Sequence, residues 1–180
     1  FFSVSCVAAG DAGMQTGRES VGRTVGFELF EDMNVDEVAL KAAKRAVTKL
    51  DSVPAPSGEM PVVVGPGGGG VLFHEACGHG LEADLIEKSA SVFAGKQGEL
   101  VAAPNVTLID DGTMVGEWGR FAIDDEGNPA NQNVLIEDGV LTDYMWDWQR
   151  ARKHGRLSSG NGRRQSYRHL PMVRMTNTFL

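Results

Sequence analysis

His74 and His79 stand five residues apart in the run FHEACGHGLEAD, and that interval constrains the backbone more than any other feature of the chain. At roughly 100° per residue, an α-helix points an i, i+5 pair about 140° apart, too far for two side chains to share a face. A π-turn returns the same pair to one side, and such bulges often occur at functional sites. Gly78 and Gly80 flank His79 and loosen the backbone where the adjustment is needed. The spacing therefore predicts a helix from about Val71 that widens or breaks near Gly78, bringing His79 beside His74.

Glu75 follows His74 directly, so the motif holds two imidazoles and a carboxylate. Neutral imidazole nitrogens are zinc ligands, and an adjacent carboxylate can take a proton from water held by the ion. The pattern is HExxxH, one residue longer than the HExxH that sets two histidines on one helical face. A lone histidine on a helix is more often a satisfied polar residue, and chance spacing is the alternative reading. Against chance, two of the chain's 4 histidines fall inside this one motif. The residues thus point to His74 and His79 as metal ligands, Zn2+ as the ion and Glu75 as the catalytic carboxylate. Cys77, also inside the motif, reads as a small apolar helix residue.

The 180 residues are 42% hydrophobic and 23% charged, as in a soluble globular protein and not a disordered one. No apolar run approaches the roughly 20 residues of a transmembrane helix. The opening FFSVSCVAAGDAG lacks the basic segment and cleavage site of a signal peptide. It begins without Met inside an apolar run, and RMTNTFL stops as abruptly, so the sequence reads as an internal piece of a longer chain. Two cysteines make no disulfide framework, which fits a reducing cytoplasm. Charge is uneven: residues 144–180 hold 8 Lys/Arg against Asp147 alone, while the remainder is strongly acidic. Such a basic end can meet nucleic acid, an acidic partner or the chain's own acidic surface. The net charge of −7 and the lack of a nucleic-acid motif weigh against the first.

Residues 1–30 read as strands: FFSVSCVAA, a GDAGM turn and a second arm ending VGFELF. Asn34 is a plausible N-cap for an amphipathic helix of about four turns, with Val35, Val38, Ala42, Ala46, Val47 and Leu50 on the apolar side. Three prolines and a glycine across DSVPAPSGEMP mark a linker, giving boundaries at 1–50, 51–60 and 61–180. MPVVVG is expected as a buried strand and PGGGG as a tight turn into the metal helix. No Gly-Lys-Ser/Thr follows those glycines, so the phosphate-loop pattern is absent. VTLIDDGTM, FAI and NVLIEDGVLTDYM read as further strands, with Glu137-Asp138-Gly139 a hairpin turn. YMWDWQRAR is expected as a helix stopped by Gly155, and LSSGNGRRQSYRHLP as an ordered loop. The fold class is α+β: a mostly antiparallel or mixed sheet, a strand–glycine turn–helix metal motif and one amphipathic helix upstream.

With these blocks in view, the chain resembles the TldD/PmbA family, also called modulators of DNA gyrase. The likeness runs in order through GFELFE, PVVVGPGGGGVLFHEACGHGLEAD, LIDDGT, IDDEGNP, VLIEDGVL and GNGRRQSYRHLPMVRMTNTFL, nearly all of residues 26–180. The glycine turn joined to HExxxH and the GNGRR…MTNT block are specific to it. The resemblance implies a TldD-type zinc metalloprotease subunit, with His74 and His79 as ligands and Glu75 as general base. It also implies a cytoplasmic complex with a PmbA/TldE-like subunit that lacks HExxxH, acting on unfolded or leader-peptide substrates. Residues 1–50 would then end an N-terminal α/β domain and 61–180 begin the metalloprotease domain. The family's third ligand is a cysteine beyond Leu180, so this stretch by itself is expected to bind zinc weakly and turn over little. Glu82, Asp84, His154 and His169 are inferior in-chain substitutes. A non-catalytic peptide- or partner-binding module, with the basic 150–174 segment as its contact surface, is the competing class. A closed structural zinc site ranks last.

Overall fold

A computed structural model describes residues 1–11, 13–65 and 67–180. The chain divides into two compact units, Phe1–Val62 and Val63–Leu180.

In the first unit β1 (Phe2–Gly10) pairs antiparallel with β2 (Gly13–Val21), Phe2 opposite Val21 and Gly10 opposite Gly13. The expected GDAGM turn includes Ala12, which lies outside the described residues. The VGFELF arm is not strand. Leu29–Asp32 form a single helical turn (α1), closed by bonds such as Glu31 N–H to the Glu28 carbonyl at 2.9 Å. The turn sets Leu29 in the interior, and strand-like composition loses to that local ladder.

Helix α2 (Val35–Leu50) is where the sequence places it, and the Asn34 side chain accepts from the Glu37 N–H at 3.1 Å as its N-cap. Its buried stripe is narrower than the pattern suggests: Val38, Ala42 and Ala46 are buried while Val35 and Val47 are exposed. The alanines let the helix lie very close to β2. A Cβ placed on Gly17 would sit 2.1 Å from the Ala42 carbonyl oxygen, so this contact requires glycine.

The second unit carries a four-stranded antiparallel sheet in the order β5–β4–β3–β8, formed by Val140–Leu141, Gln132–Glu137, Leu108–Asp111 and Thr178–Phe179. The β4–β5 hairpin turns at Asp138 and Gly139, whose φ values of 47° and 83° match the primed turn that an Asp-Gly pair favours. Helix α5 (Trp148–Lys153) starts later than the YMWDWQRAR pattern predicts, because the Asp147 side chain caps it through the Arg150 N–H at 2.8 Å. Tyr144, Met145 and Trp146 instead enter the core, beside Leu81, Leu108, Leu135 and Val173. FAI contributes only an isolated bridge, Ile123 to Pro129. A small ribbon of β6 (Gly162–Arg163) and β7 (Met172–Val173) completes the unit.

The fold is α+β as read from the sequence, but MPVVVG is not a strand. Val62 and Val63 are 74% and 98% exposed. An apolar run becomes a strand only where another edge accepts its hydrogen bonds, and no such edge faces it among the described residues. The predicted PGGGG turn includes Pro66, outside the described residues.

Candidate metal centre

Helix α3 (Gly68–Phe73) runs directly into a π-turn over His74–Gly78 and then a 3₁₀ turn over His79–Leu81. The His79 N–H donates to the His74 carbonyl, the i→i+5 bond that the spacing of the two histidines demands. The consequence is direct: the two imidazoles meet edge to face, ring centres 4.8 Å apart at 85°. One ligand atom from each of His74, Glu75 and His79 lies within 4.8 Å of the others.

Gly78 serves this turn differently from the sequence expectation. Its φ and ψ of −56° and −52° are ordinary helical values, open to any residue. What it supplies is space: a Cβ there would lie 2.1 Å from the Met175 sulfur. The turn can therefore press against the buried Met175, between β7 and β8. Past the motif, the Met145 N–H donates to the Leu81 carbonyl at 2.9 Å and the Ala83 N–H to the Met145 carbonyl at 3.0 Å. Leu81 and Ala83 are fully buried, so the C-terminal end of the turn is tied into the interior before α4 (Ala83–Glu87) begins.

Glu82, named from sequence as a substitute ligand, has another place. Its carboxylate is 2% exposed and lies 3.2 Å from His79 Nδ1, on the side away from Glu75. Arg174 holds the same oxygen at 3.2 Å. Burial pushes the Glu82 carboxyl above its usual range, opposed by His79 and Arg174. Its other oxygen has no hydrogen-bond partner among the described residues. A carboxylate on Nδ1 fixes the ring and its tautomer, leaving Nε2 for a metal, the usual second layer of a histidine–metal site. His79 Nε2 faces Glu75, 3.9 Å from its carboxylate. The signal for this role was a carboxylate three residues after the histidine. Its burial and its link to Arg174, distant in sequence, were not visible there.

The remaining sequence candidates go elsewhere. His154 Nε2 pairs with Glu87 at 2.8 Å, and His169 Nδ1 lies 2.8 Å from the Ser166 hydroxyl. Asp84 is buried with Lys88 at 4.0 Å, and Cys77 packs against the core, where burial raises its thiol pKa. Two imidazole nitrogens, one ring already oriented, with a carboxylate beside them, suit a borderline-soft divalent ion. The donor set fits a metal.

The basic C-terminal segment docks largely on the chain's own acids. Arg150 pairs with Asp147, Lys153 with Glu87, Arg156 with Asp143, Arg164 with Asp125 and Arg174 with Glu82. Buried Asp110 ties that segment to the sheet, accepting from Asn161 at 2.7 Å and from the Thr176 amide at 2.7 Å.

Comparison with known proteins supplies a family. The PmbA/TldA metallopeptidase C-terminal domain matches residues 57–180, and the central domain of the same family matches residues 1–50. A metalloprotease TldD homolog of Haemophilus influenzae is 51% identical over 155 residues, 86% of this chain and 32% of that protein. One from Buchnera aphidicola is 42% identical over 99% of this chain and 38% of its own length. The chain thus spans about a third of these relatives. The crystal structure of TldE from Thermococcus kodakarensis superposes with a TM-score of 0.79 over 98% of the chain and 39% of its own, at 24% identity, a likeness of fold. Among the described residues no helix is long and apolar enough to cross a membrane.

Proposed function

The chain belongs to the PmbA/TldD metallopeptidase family, and from that premise we propose that it carries two of the zinc ligands and the general base of a peptidase acting on unfolded or leader-peptide segments. The observation that supports this reading is the π-turn, which gathers His74, Glu75 and His79 at one point of the surface. His74 and His79 would hold the ion, and a cysteine beyond Leu180 would be its third protein ligand. A bound zinc supplies Lewis-acid chemistry, polarising the scissile carbonyl and making water acidic enough to attack near neutral pH.

The chain's own residues do the rest. Glu75 is exposed beside the imidazoles, placed to take the proton of the attacking water and to return it to the leaving amine. Glu82 keeps the Nδ1 proton of His79 engaged, so that Nε2 carries the free lone pair. Arg174 restrains Glu82 in turn. The partner in this reading is a TldE-like subunit, consistent with the shared fold, and the setting is cytoplasmic. Residues 1–50 end one domain of the longer protein, 51–60 connect, and 61–180 begin its metalloprotease domain.

The test is full-length Glu75→Gln. Peptide hydrolysis should fall by about 10²–10⁴-fold, the usual worth of a general base, while bound zinc stays at the wild-type level. Hydrolysis that survives the substitution would remove Glu75 from the mechanism.

A further inference from the structure

Beside the imidazole pair lies a cavity of about 360 Å³, walled by His74, His79, Gln165 and three arginines, Arg163, Arg164 and Arg174. We propose that it is a carboxylate-recognition subsite, in which Arg163 holds an acidic side chain or the free C-terminus of the peptide next to the reacting bond. The proposal rests on the peptidase reading above and names the class of substrate that the site takes.

The argument is one of charge. No carboxylate lines the cavity among the described residues. Two of its arginines are already matched: Arg164 by Asp125 at 3.6 Å and Arg174 by Glu82 at 3.2 Å. Arg163 has only neutral partners among the described residues, the Met175 carbonyl and the face of Phe121, 5.5 Å from the guanidinium carbon. Guanidinium carries five N–H donors, and the Met175 carbonyl engages Nη1, so donors remain for a ligand. A carboxylate completes such a fork with charge-assisted bonds that a neutral amide cannot equal.

The placement is built. Arg163 stands in β6 opposite Met172. The preceding Gly162 N–H donates to buried Asp124 at 3.0 Å, and the following Arg164 N–H to Asp125 at 2.8 Å. The IDDEGNP loop thus grips the backbone on both sides of Arg163. Of the other cations in the 150–174 segment, Arg150, Lys153 and Arg156 are matched by acids, and Arg152 and Arg168 rest on Trp148 and Tyr167 away from the cavity lining; Arg163 lines the cavity that holds His74 and His79.

Binding to the full-length, zinc-loaded Glu75→Gln protein tests this without turnover. Four labelled peptides of one sequence differ only by Glu or Gln at a central position and by a free or amidated C-terminus. Anisotropy titrations should show at least about tenfold tighter binding for a carboxylate-bearing peptide than for the Gln amide, the size expected of a charge-assisted contact. The Glu amide and the Gln free acid separate the two sources of the carboxylate. Arg163→Gln should bring the ratio to within about twofold, Arg163→Lys should keep part of it, and added salt should shrink it. Equal binding of all four peptides to the parent protein overturns the proposal whatever the variants do, as does a preference that survives Arg163→Gln. Selective binding in a protein whose wild type hydrolyses nothing would instead sink the peptidase reading and leave the subsite standing.

Discussion

The two ends of the metal motif are held in opposite ways. Helix α3, which delivers His74, has no buried residue, and its Val71 and Leu72 are 61% and 54% exposed. The stretch that receives His79 is anchored: Leu81 and Ala83 are fully buried and bonded to Met145, and Glu82 grips the ring. The His74 imidazole makes no hydrogen bond among the described residues; its ring contact is His79 itself. Folding of this unit therefore orients the His79 ring in advance, while in the proposed metal site the His74 ring would be held by the ion. Preorganising a ligand lowers the ordering cost of binding, so the anchored end should dominate affinity and the loose end should tolerate change.

The largest break in that asymmetry should come from Glu82. Glu82→Ala is expected to weaken zinc binding by about 10–100-fold, as loss of an outer-layer partner usually does. Glu82→Gln, which keeps an acceptor for Nδ1–H, should lose markedly less; competition against a chromophoric chelator reads both. Equal losses would mean that Glu82 acts only through packing. Next is Gly78→Ala. Its methyl would collide with Met175 and should cost about 1–3 kcal/mol in denaturant titrations, the usual penalty for overpacking.

A smaller effect is expected from Asp111 in β3. Burial alone would raise its carboxyl, but bonds from the Thr113 hydroxyl, the Thr113 amide and Gln132 hold it below the usual range. A depressed folded pKa stabilises above the unfolded value, near pH 4, and that stability is lost as pH falls through the folded one. Melting temperature should therefore decline below about pH 4, and Asp111→Asn should flatten the decline. Smallest of all, Val71→Ser on the exposed side of α3 should shift stability by less than about 0.5 kcal/mol. A much larger cost would show that this face is covered in the whole protein.

What could be read from sequence follows the same division between local and distant causes. The Asn34 cap, the Asp138-Gly139 turn and the extent of α2 are decided within a few residues, and each lies where the pattern puts it. The π-turn was legible for a sharper reason: two histidines five apart can meet in few other backbones. The MPVVVG strand failed because its fate depends on an edge far along the chain. From sequence Glu82 reads only as a substitute ligand, and Arg163 falls unremarked within a basic stretch. Their roles come from Arg174 in one case and from the IDDEGNP loop in the other, partners that no local spacing announces.

The central claim is that the π-turn pair is a metal centre in which His79 binds and Glu75 does not. Zinc content by mass spectrometry of purified full-length Glu75→Gln and His79→Ala tests it most directly. About one zinc per chain in the first and near none in the second is the predicted result. Zinc retained at the wild-type level in His79→Ala, or lost from Glu75→Gln, would contradict it.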